Sequence, residues 1–274
     1  MSNILETFSV TGRTAIVTGG AGLLGKEFCR TLAQAGAQVM MADVNRDASQ
    51  AVARELQGEG LAVHPVQVDI TDRTSVQSMV RTTLEKCQRL DILVNSAAMD
   101  PKFDDAHADT THTASFEDFP VSAWSRAIDV NLTGAFLCCQ EATRHMRTAG
   151  SGVIINICSI YGIVGPDQRL YQSEGHATQY KPAYYSVTKA GILGLTRYLA
   201  TYLAGQNIRV NALTPAGVYN NHDETFLANY AARSVMGRMA KRDEMNGALL
   251  FLASDASAYM TGANLLVDGG WTAW

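Results

Sequence analysis

The chain has 274 residues, of which 47% are hydrophobic and 18% are charged, and its formal net charge is -4. This length is enough for one large α/β domain or two small ones with a sizeable core. The acidic balance, without a long basic run, argues against a nucleic-acid partner or an anionic membrane surface. No apolar run has the length of a membrane span, and the N-terminus lacks the pattern of a signal peptide.

The cysteines indicate the redox environment. The five cysteines form no C-x-x-C pair, and most of them lie inside apolar stretches. An odd number with this placement predicts buried, reduced thiols in a cytoplasmic protein. The residues concerned are Cys29, Cys87, Cys138, Cys139 and Cys158.

Short apolar segments alternate with segments of helical periodicity along the chain. Strands are predicted over 14–19, 37–43, 62–69, 90–95, 152–158, 208–215 and 263–268. Helices are predicted over 22–36, 46–60, 73–87, about 183–204 and near 242–253. Strands this apolar need cover on both faces, which indicates a parallel sheet between helical layers. The expected fold is α/β: a Rossmann-type, doubly wound parallel β-sheet in a single domain over residues 1–274.

Three polar stretches interrupt this alternation, near 99–120, 163–182 and 217–234. Loops this long in a compact domain are usually functional or disordered. Each stretch follows the end of a predicted strand, where open α/β sheets bind ligands. We therefore expect these insertions to border a substrate site.

A glycine-rich turn, "VTGGAGLLG" (17–25), joins the first strand to the first helix. At Gly19, Gly22 and Gly25 a side chain would block a pyrophosphate or the contact between helix and strand. The N-terminus of the helix supplies hydrogen-bond donors and partial positive charge for phosphates. The turn therefore predicts a dinucleotide site.

Acidic residues end the next two strands. Asp43 lies 24 residues beyond Gly19, near the offset of a carboxylate that binds a ribose 2′-hydroxyl. A 2′-phosphate would meet a like charge there, so NAD is the expected cofactor, although Arg46 follows closely. Asp69 is a second candidate, with its side chain at the adenine edge and Ile70 packed beside the ring. A turn or helix cap is the alternative role for either acid.

The segment "YYSVTK" (184–189) raises the question of chemistry. Tyr185 and Lys189 stand four residues apart in a predicted helix and share a face, whereas Tyr184 points elsewhere. A phenol of pKa about 10 is a poor base at neutral pH. A cation about 4 Å away, at an effective dielectric of about 20, is worth about 4 kcal/mol and would lower the phenol pKa toward about 7. Tyr185 would then exchange a proton with an alcohol or carbonyl.

Further motifs occur in a fixed order with this one. They are "TGGAGLLG", "VDITD", "DILVNSAA", "IDVNLTGAF", "INICSIYG", "YYSVTK", "IRVNALTPAG" and "YMTGANLLVDGG". On these motifs, essentially the whole chain resembles the short-chain dehydrogenase/reductase superfamily of single-domain NAD(P)-dependent oxidoreductases. The "SIYG" segment, the long insert before the tyrosine and the C-terminal "GGW" look like those of sugar or sugar-acid dehydrogenases.

The resemblance implies roles for the matching residues. Ser159 would bind the substrate oxygen, Tyr185 would be the acid/base, and Lys189 would lower the pKa of the tyrosine and hold the nicotinamide ribose. Asn131 would kink a helix and hold a water that links Lys189 to solvent, and Asn95 would shape the cofactor cleft. Further cofactor contacts would come from Leu24, Ala97, Pro215, Gly217 and Val218. The family also implies a homotetramer, with the helix carrying the tyrosine and the last strand at interfaces.

The sequence departs from the family pattern at several places. The glycine spacing matches larger sugar-nucleotide-modifying relatives better, "NSAA" replaces N-N-A-G, and "PAG" stands where P-G is usual. Ser159 and Tyr185 are 26 residues apart, more than the family usually shows. These departures leave every implied catalytic group in place.

The polar stretches also suggest a substrate class. They offer Gln168, Arg169, Asn220 and Asn221 as substrate-binding residues, with Arg169 suited to hold an anion. A pocket for a steroid or fatty chain would be mainly apolar and aromatic. The expected activity is NAD(H)-dependent interconversion of a secondary alcohol and a ketone or lactone on a sugar, sugar acid or hydroxy acid.

Other readings stay open beside this one. A 3-oxoacyl-thioester reductase shares the same motifs, although such enzymes usually prefer NADP(H). A catalytically silent dinucleotide-binding regulator is disfavoured by the complete set of implied catalytic residues. A metal site in the first polar stretch is disfavoured, because its acids and histidines have no recognised ligand spacing. Those residues are Asp104, Asp105, His107, Asp109 and His112.

Overall fold

The computed structural model describes residues 3–100, 114–172 and 179–274. These residues form one seven-stranded parallel sheet in the order β3-β2-β1-β4-β5-β6-β7. The strands are β1 (Thr14–Thr18), β2 (Gln38–Asp43), β3 (Val63–Gln67), β4 (Ile92–Asn95), β5 (Gly152–Ile157), β6 (Ile208–Pro215) and β7 (Asn264–Val267). The order reverses between β1 and β4, which confirms the doubly wound, Rossmann-type topology.

Helices cover both faces of the sheet. They are α1 (Leu23–Gln34), α2 (Arg46–Gly58), α3 (Arg73–Cys87), α4 (Val121–Ile128), α5 (Ala135–Ala149), α6 (Ala183–Tyr202), α7 (Glu224–Ala231) and α8 (Asn246–Ala253). A π-helical segment, Asp129–Gly134, joins α4 to α5. Short 3-10 helices occupy Ile160–Gly162 and Gln168–Tyr171.

The apolar strands divide the core into two layers. Along β1, Ala15 and Val17 pack with α1, α2 and α8, whereas Ile16 faces the cluster formed with α3, α5 and α6. All five residues of β1 are buried, as are all six of β5. The absence of a polar alternation in these strands is thus explained by helices on both sides.

The predicted strands and helices occur, with ends shifted by a few residues. The sequence pattern did not reveal α4 and α5, and the polar stretch 217–234 contains α7 rather than a continuous loop. All five cysteines are buried and free of disulfides, as predicted. Among the described residues, none of the helices combines the length and apolar character needed to cross a membrane.

The acids and histidines of the first polar stretch lie outside the described residues, because residues 101–113 are not described. Within the described ranges, no cluster of three or more His, Cys, Asp or Glu side chains is arranged to hold a metal ion.

Candidate active site

A large cavity opens at the carboxyl ends of the central strands. Its volume is about 1070 Å³, and its walls run from the glycine turn after β1 to Tyr185 on α6. Ligands bind at this edge of open α/β sheets. The lining includes these predicted residues: Gly19, Gly22, Leu24, Gly25, Asp43, Asp69, Ile70, Ala97, Ser159, Tyr185, Lys189, Pro215, Gly217 and Val218.

The turn after β1 has room for backbone only. Gly19 has a φ of +64°, and a Cβ there would lie 2.7 Å from the Cα of Ala97. A Cβ on Gly25 would lie 2.0 Å from the carbonyl oxygen of Gly19. Gly22 is the N-cap of α1 and makes no side-chain cap bond, so the first N–H groups of the helix suit a phosphate. This cradle fits the pyrophosphate of a dinucleotide.

Two carboxylates stand farther along the cofactor end of the cavity. The Asp43 carboxylate accepts hydrogen bonds from the N–H groups of Ala21 at 3.0 Å and Asn45 at 2.9 Å. The Asp69 carboxylate accepts from the N–H and the hydroxyl of Thr71, at 2.9 and 2.7 Å. Each acid therefore supports its local turn and also lies at the cavity wall.

Ser159 marks the opposite end of the cavity. It follows β5 and caps the 3-10 helix Ile160–Gly162, with its Oγ accepting from the N–H of Tyr161 at 3.2 Å. The Ser159 side chain also interacts with Tyr185, and this interaction lowers the pKa of the phenol. Strand β5 and helix α6 thus bring together two hydroxyl groups that are 26 residues apart in the sequence.

Helix α6 presents Tyr185 and Lys189 to the cavity. The Lys189 Nζ lies 5.7 Å from the centroid of the Tyr185 ring and donates to the carbonyl of Ile157 at 2.9 Å. Tyr184 instead packs against Phe119, with the ring centroids 5.8 Å apart. Residues four apart share a face of a helix and adjacent residues do not. Tyr185 therefore faces the cavity with Lys189, whereas Tyr184 points elsewhere.

The pKa of Tyr185 departs from the expected direction. Burial, reinforced by the Asp100 carboxylate, raises the pKa of Tyr185 well above its ordinary value, whereas the interaction with Ser159 lowers it. Burial also lowers the pKa of Lys189. The expected drop of the tyrosine pKa toward neutrality is therefore wrong for the protein alone, because desolvation outweighs the neighbouring cation.

Asn131 lies in the π-helical segment between α4 and α5. Its Oδ1 accepts from the N–H of Met99 at 2.6 Å, and its Nδ2 donates to the carbonyl of Met99 at 3.1 Å and to the Thr188 hydroxyl at 3.3 Å. The widened turn is the interruption of the helix that the sequence motif implied. Asn131 thereby ties the chain after β4 to α6, one residue before Lys189.

Asn95 belongs to a buried polar network beneath the cavity. Its Nδ2 donates to Oδ1 of Asn156 at 2.8 Å, and Asn156 Nδ2 donates to the Thr196 hydroxyl at 2.9 Å. The network crosses β4, β5 and α6. Asn95 and Asn131 are therefore both set behind the cavity wall, and their described bonds are made to other parts of the chain.

The structure places the residues predicted for substrate alone outside the cavity lining. They are Gln168, Arg169, Asn220 and Asn221. Arg169 pairs with Asp167 at 2.8 Å, and its side chain is 78% exposed. Gln168 bonds the backbone of Lys181, and both asparagines are exposed. Local hydrogen bonds and solvent occupy these polar groups in the described structure, and their role in substrate binding stays a prediction.

An aromatic wall with a few charged groups stands near Tyr185. The lining residues there that the sequence reasoning missed are Met99, Tyr161, Tyr171, Lys181, Phe226 and Tyr230, whereas Asp100 and His222 are polar residues of the stretches expected to border the substrate. Phe226 packs between two neighbours, with its ring centroid 5.8 Å from that of Tyr171 and 6.2 Å from that of Tyr230. The four-residue spacing of Phe226 and Tyr230 was the available signal for an inward-facing helix.

Comparisons with known proteins agree with this geometry. A family model described as Enoyl-(Acyl carrier protein) reductase matches residues 19–272. The cis-4-hydroxycyclohexanecarboxylate dehydrogenase of Sinomonas cyclohexanicum is 38% identical over 266 residues, covering 95% of this chain and 97% of that protein. The D-threitol dehydrogenase of Mycolicibacterium smegmatis is 31% identical over 270 residues, covering 97% and 95%.

A solved structure shows the same fold over the whole chain. The crystal structure of a gluconate 5-dehydrogenase from Burkholderia cenocepacia, in complex with NADP and tartrate, matches with a TM-score of 0.86 at 29% identity. The match covers 99% of this chain and 100% of that one. With a family match over most of its length and relatives above 30% identity, the chain belongs to the short-chain dehydrogenase/reductase superfamily and is an oxidoreductase that acts on alcohol groups.

Proposed function

We propose that the protein is an NAD(H)-dependent dehydrogenase that interconverts a secondary alcohol and a ketone or lactone on a polar hydroxylated substrate. Sugars, sugar acids and related hydroxy acids form the substrate class. One observation carries the proposal: a single cavity has Ser159, Tyr185 and Lys189 at one end and the glycine turn with Asp43 at the other.

The hydroxyl groups of Ser159 and Tyr185 are suited to hold the substrate oxygen between them. A bound nicotinamide dinucleotide supplies the hydride acceptor or donor. Tyr185 takes the proton of the alcohol during oxidation and returns it to the carbonyl during reduction. Because burial keeps the phenol protonated in the protein alone, its ionisation depends on positive charge brought close to it. Lys189 already stands on the same helix, 5.7 Å from the ring centroid, and does not by itself cancel the effect of burial.

The choice of NAD over NADP rests on Asp43. Its carboxylate is fixed by two backbone N–H groups at the cavity wall, where it is placed to accept from a free ribose 2′-hydroxyl and to repel a phosphate. The neighbouring lining residue is Val44, which offers no positive charge. The related gluconate 5-dehydrogenase was crystallised with NADP, so cofactor choice is a property to be measured for this chain.

The relatives support the substrate class. Their names refer to a hydroxycyclohexanecarboxylate, a four-carbon polyol and a sugar acid, all compact molecules with secondary hydroxyl groups. The cavity end near Tyr185 combines aromatic surface with the charged Lys181 and Asp100. Such a site suits a small ring or short chain that also carries polar groups.

A substrate panel tests the proposal. Purified enzyme is assayed with NAD and with NADP against 4-hydroxycyclohexanecarboxylate, gluconate, threitol, a hydroxysteroid, an aliphatic secondary alcohol and a 3-oxoacyl thioester. We expect the first three to be preferred with NAD. A tenfold preference for the steroid, the aliphatic alcohol or the thioester would overturn the substrate class, and cofactor binding without any turnover would favour a regulator.

We also propose that the protein is a cytoplasmic homotetramer. Its free buried thiols suit a reducing compartment. On α6, Tyr198 and Tyr202 are 63% and 52% exposed, and on β7 Leu266 is 45% exposed, so apolar surface lies on both elements where the family packs its subunits. Sedimentation equilibrium tests the assembly, and a monomer at micromolar concentration would contradict it.

A further inference from the structure

Lys181 occupies an unusual position next to the catalytic tyrosine. It is only 7% exposed and lines the cavity just before α6 begins. Its Nζ lies 4.1 Å from the centroid of the Tyr185 ring and 5.9 Å from that of Tyr161. The ammonium group is thus closer to the Tyr185 ring than the Nζ of Lys189, which lies at 5.7 Å.

The insertion before α6 holds this lysine in place. The side-chain amide of Gln168 accepts from the N–H of Lys181 at 2.9 Å and donates to its carbonyl at 3.0 Å. Gln168 itself begins the 3-10 helix Gln168–Tyr171, which Asp167 caps by accepting from the N–H of Arg169. The described part of the long insert thus fixes the backbone from which the lysine side chain reaches the cavity.

Asp100, a partner of Lys181, is much more exposed to solvent than the lysine. The Nζ forms an ion pair with the carboxylate of Asp100, whose side chain is 55% exposed against 7% for the lysine. A buried ammonium requires an anionic partner, because leaving it uncompensated is costly. Asp100 lies at the solvent edge, so its carboxylate can turn to water when another anion takes its place at the ammonium. A second anion entering the cavity is therefore able to replace Asp100 at Lys181.

The surroundings of the ammonium favour recognition of such an anion. Tyr161, Tyr171 and Tyr185 are each no more than 9% exposed and form one buried cluster near Lys181, with Phe226 packed against it. In a poorly solvated site, an ammonium attracts a carboxylate more strongly than at the surface. The aromatic side chains at the same time offer apolar surface to a carbon skeleton.

We propose that Lys181 binds the carboxylate of the substrate, exchanging it for that of Asp100, so that the enzyme acts on compact hydroxy acids. The inference rests on the proposed function and narrows its substrate class. It places the anion-binding group beside the tyrosine, rather than at Arg169, where the sequence pattern had suggested it. The reacting hydroxyl then contacts Tyr185 and the carboxylate contacts the nearby Lys181. The enzyme should therefore prefer substrates in which the two groups are close together.

Two other roles for Lys181 make different predictions. The lysine and Asp100 together resemble a donor and acceptor pair for a neutral diol, in which case removing either charge impairs diols. Alternatively, the charge of Lys181 acts only on the nearby Tyr185. Its loss would then lower the rate of oxidation of every substrate by the same factor. The ratio of activity on acidic and neutral substrates separates these roles from the proposed one.

The kinetic test uses a matched pair of substrates, 4-hydroxycyclohexanecarboxylate and cyclohexane-1,4-diol. Lys181→Met should lower kcat/KM for the acid about 30-fold or more relative to the diol. Arg169→Met is the control, because it removes the same charge from the exposed part of the same insertion, and its ratio should match the wild type. Asp100→Asn should leave the acid unimpaired or improve it. Equal losses on both substrates in Lys181→Met, or impaired diol oxidation in Asp100→Asn, would overturn the proposal.

A binding measurement keeps the inference independent of turnover. Cyclohexanecarboxylate and cyclohexanecarboxamide are titrated calorimetrically into the folded enzyme saturated with NADH, with folding of each variant checked by its melting temperature. The wild type should bind the carboxylate at least about tenfold more tightly, and Lys181→Met should lose that preference while Lys181→Arg retains part of it. If the carboxylate and the amide bind the wild type alike, Lys181 is not the carboxylate site, even where the panel supports the proposed function.

Discussion

Tyr185 is placed between opposing electrostatic influences. Burial and the Asp100 carboxylate favour the neutral phenol, whereas the interaction with Ser159 favours the ionised form. Two ammonium groups, of Lys181 and Lys189, lie within 5.7 Å of its ring centroid. The phenol therefore keeps its proton at neutral pH in the protein alone, and the base role proposed for it requires further positive charge nearby.

Removal of the phenolic hydroxyl tests this role. Tyr185→Phe should lower kcat by about 10²-fold or more, because general acid/base catalysis typically contributes that much, while NADH binding measured by fluorescence persists. Tyr184→Phe should stay substantially active, because Tyr184 packs against Phe119. Retention of more than about a tenth of wild-type kcat in Tyr185→Phe would disprove the acid/base assignment.

The proposed preference for NAD over NADP depends on a single residue, Asp43. Asp43→Ala should reduce the ratio of kcat/KM for NAD to that for NADP, mainly through KM for NADP, because the repelling carboxylate is lost. The measurement compares both cofactors at saturating alcohol. Asp47→Ala on the exposed face of α2 is the matched control and should leave the ratio unchanged. A wild-type enzyme that prefers NADP would contradict this use of Asp43.

Residues at regular spacing were predictable from the sequence, and residues placed by loops were not. The four-residue spacing of Tyr185 and Lys189 selected the tyrosine that lines the cavity. Lys181 carries no such periodic signal, because its position depends on Gln168 and on the packing of a short 3-10 helix. The direction of the Tyr185 pKa was also beyond the sequence, because it depends on the extent of burial.

At the level of elements, the apolar runs predicted every strand of the described sheet. Periodicity did not predict helices α4 and α5, because the π-helical segment Asp129–Gly134 shifts the helical phase between them and includes the polar Asn131. The family resemblance implied only that Asn131 kinks a helix there. The first turn of α1 was predictable because glycine spacing directly reports close backbone contacts. In that turn a Cβ on residue 25 would lie too close to the Gly19 carbonyl oxygen, so the position favours glycine.

A methyl group in that turn should disrupt both stability and binding. Gly25→Ala would bring its Cβ to 2.0 Å from the Gly19 oxygen, so the turn must move. We expect a loss of about 1–3 kcal/mol in the free energy of unfolding and weaker NADH binding. Urea unfolding and NADH fluorescence titration measure the two effects.

Gly58→Ala at the end of α2 is the matched control for this change. A Cβ there meets no atom within 4 Å, so the variant should be neutral or more stable than the wild type by up to about 1 kcal/mol. Equal stability and equal NADH affinity in Gly25→Ala and Gly58→Ala would show that the turn is not a close-packed cradle.

At the scale of the whole molecule, the buried thiols should lower the free energy of unfolding at alkaline pH. Burial raises the pKa of Cys139 to about 12 and raises those of Cys29 and Cys138 still further. Between about pH 8.5 and the native pKa, the unfolded chain releases protons that the native protein keeps. Stability is therefore fully present below about pH 8.5 and falls as the pH rises, by about 1.4 kcal/mol per pH unit for each such thiol.

Urea unfolding under reducing conditions at pH 7, 8.5 and 10 measures this dependence. The free energy of unfolding should fall more steeply between pH 8.5 and 10 than between pH 7 and 8.5, and Cys139→Ala should make the alkaline slope shallower. A free energy that stays level up to pH 10 would show that these thiols do not control the alkaline limit.

The buried amides also bear on how the sheet finds its alignment. Apart from Gly152 at the start of β5, the other residues of β4 and β5 are isoleucine, leucine and valine, whose side chains would pack about equally well one residue out of step. In the native pairing Asn95 stands opposite Asn156, and the two amides bond directly. A slip by one residue would bury both amides against hydrocarbon, at about 1–3 kcal/mol for each unpaired group. The two asparagines thus give an otherwise apolar pair of strands one preferred alignment, and the position of Ser159 after β5 depends on that alignment.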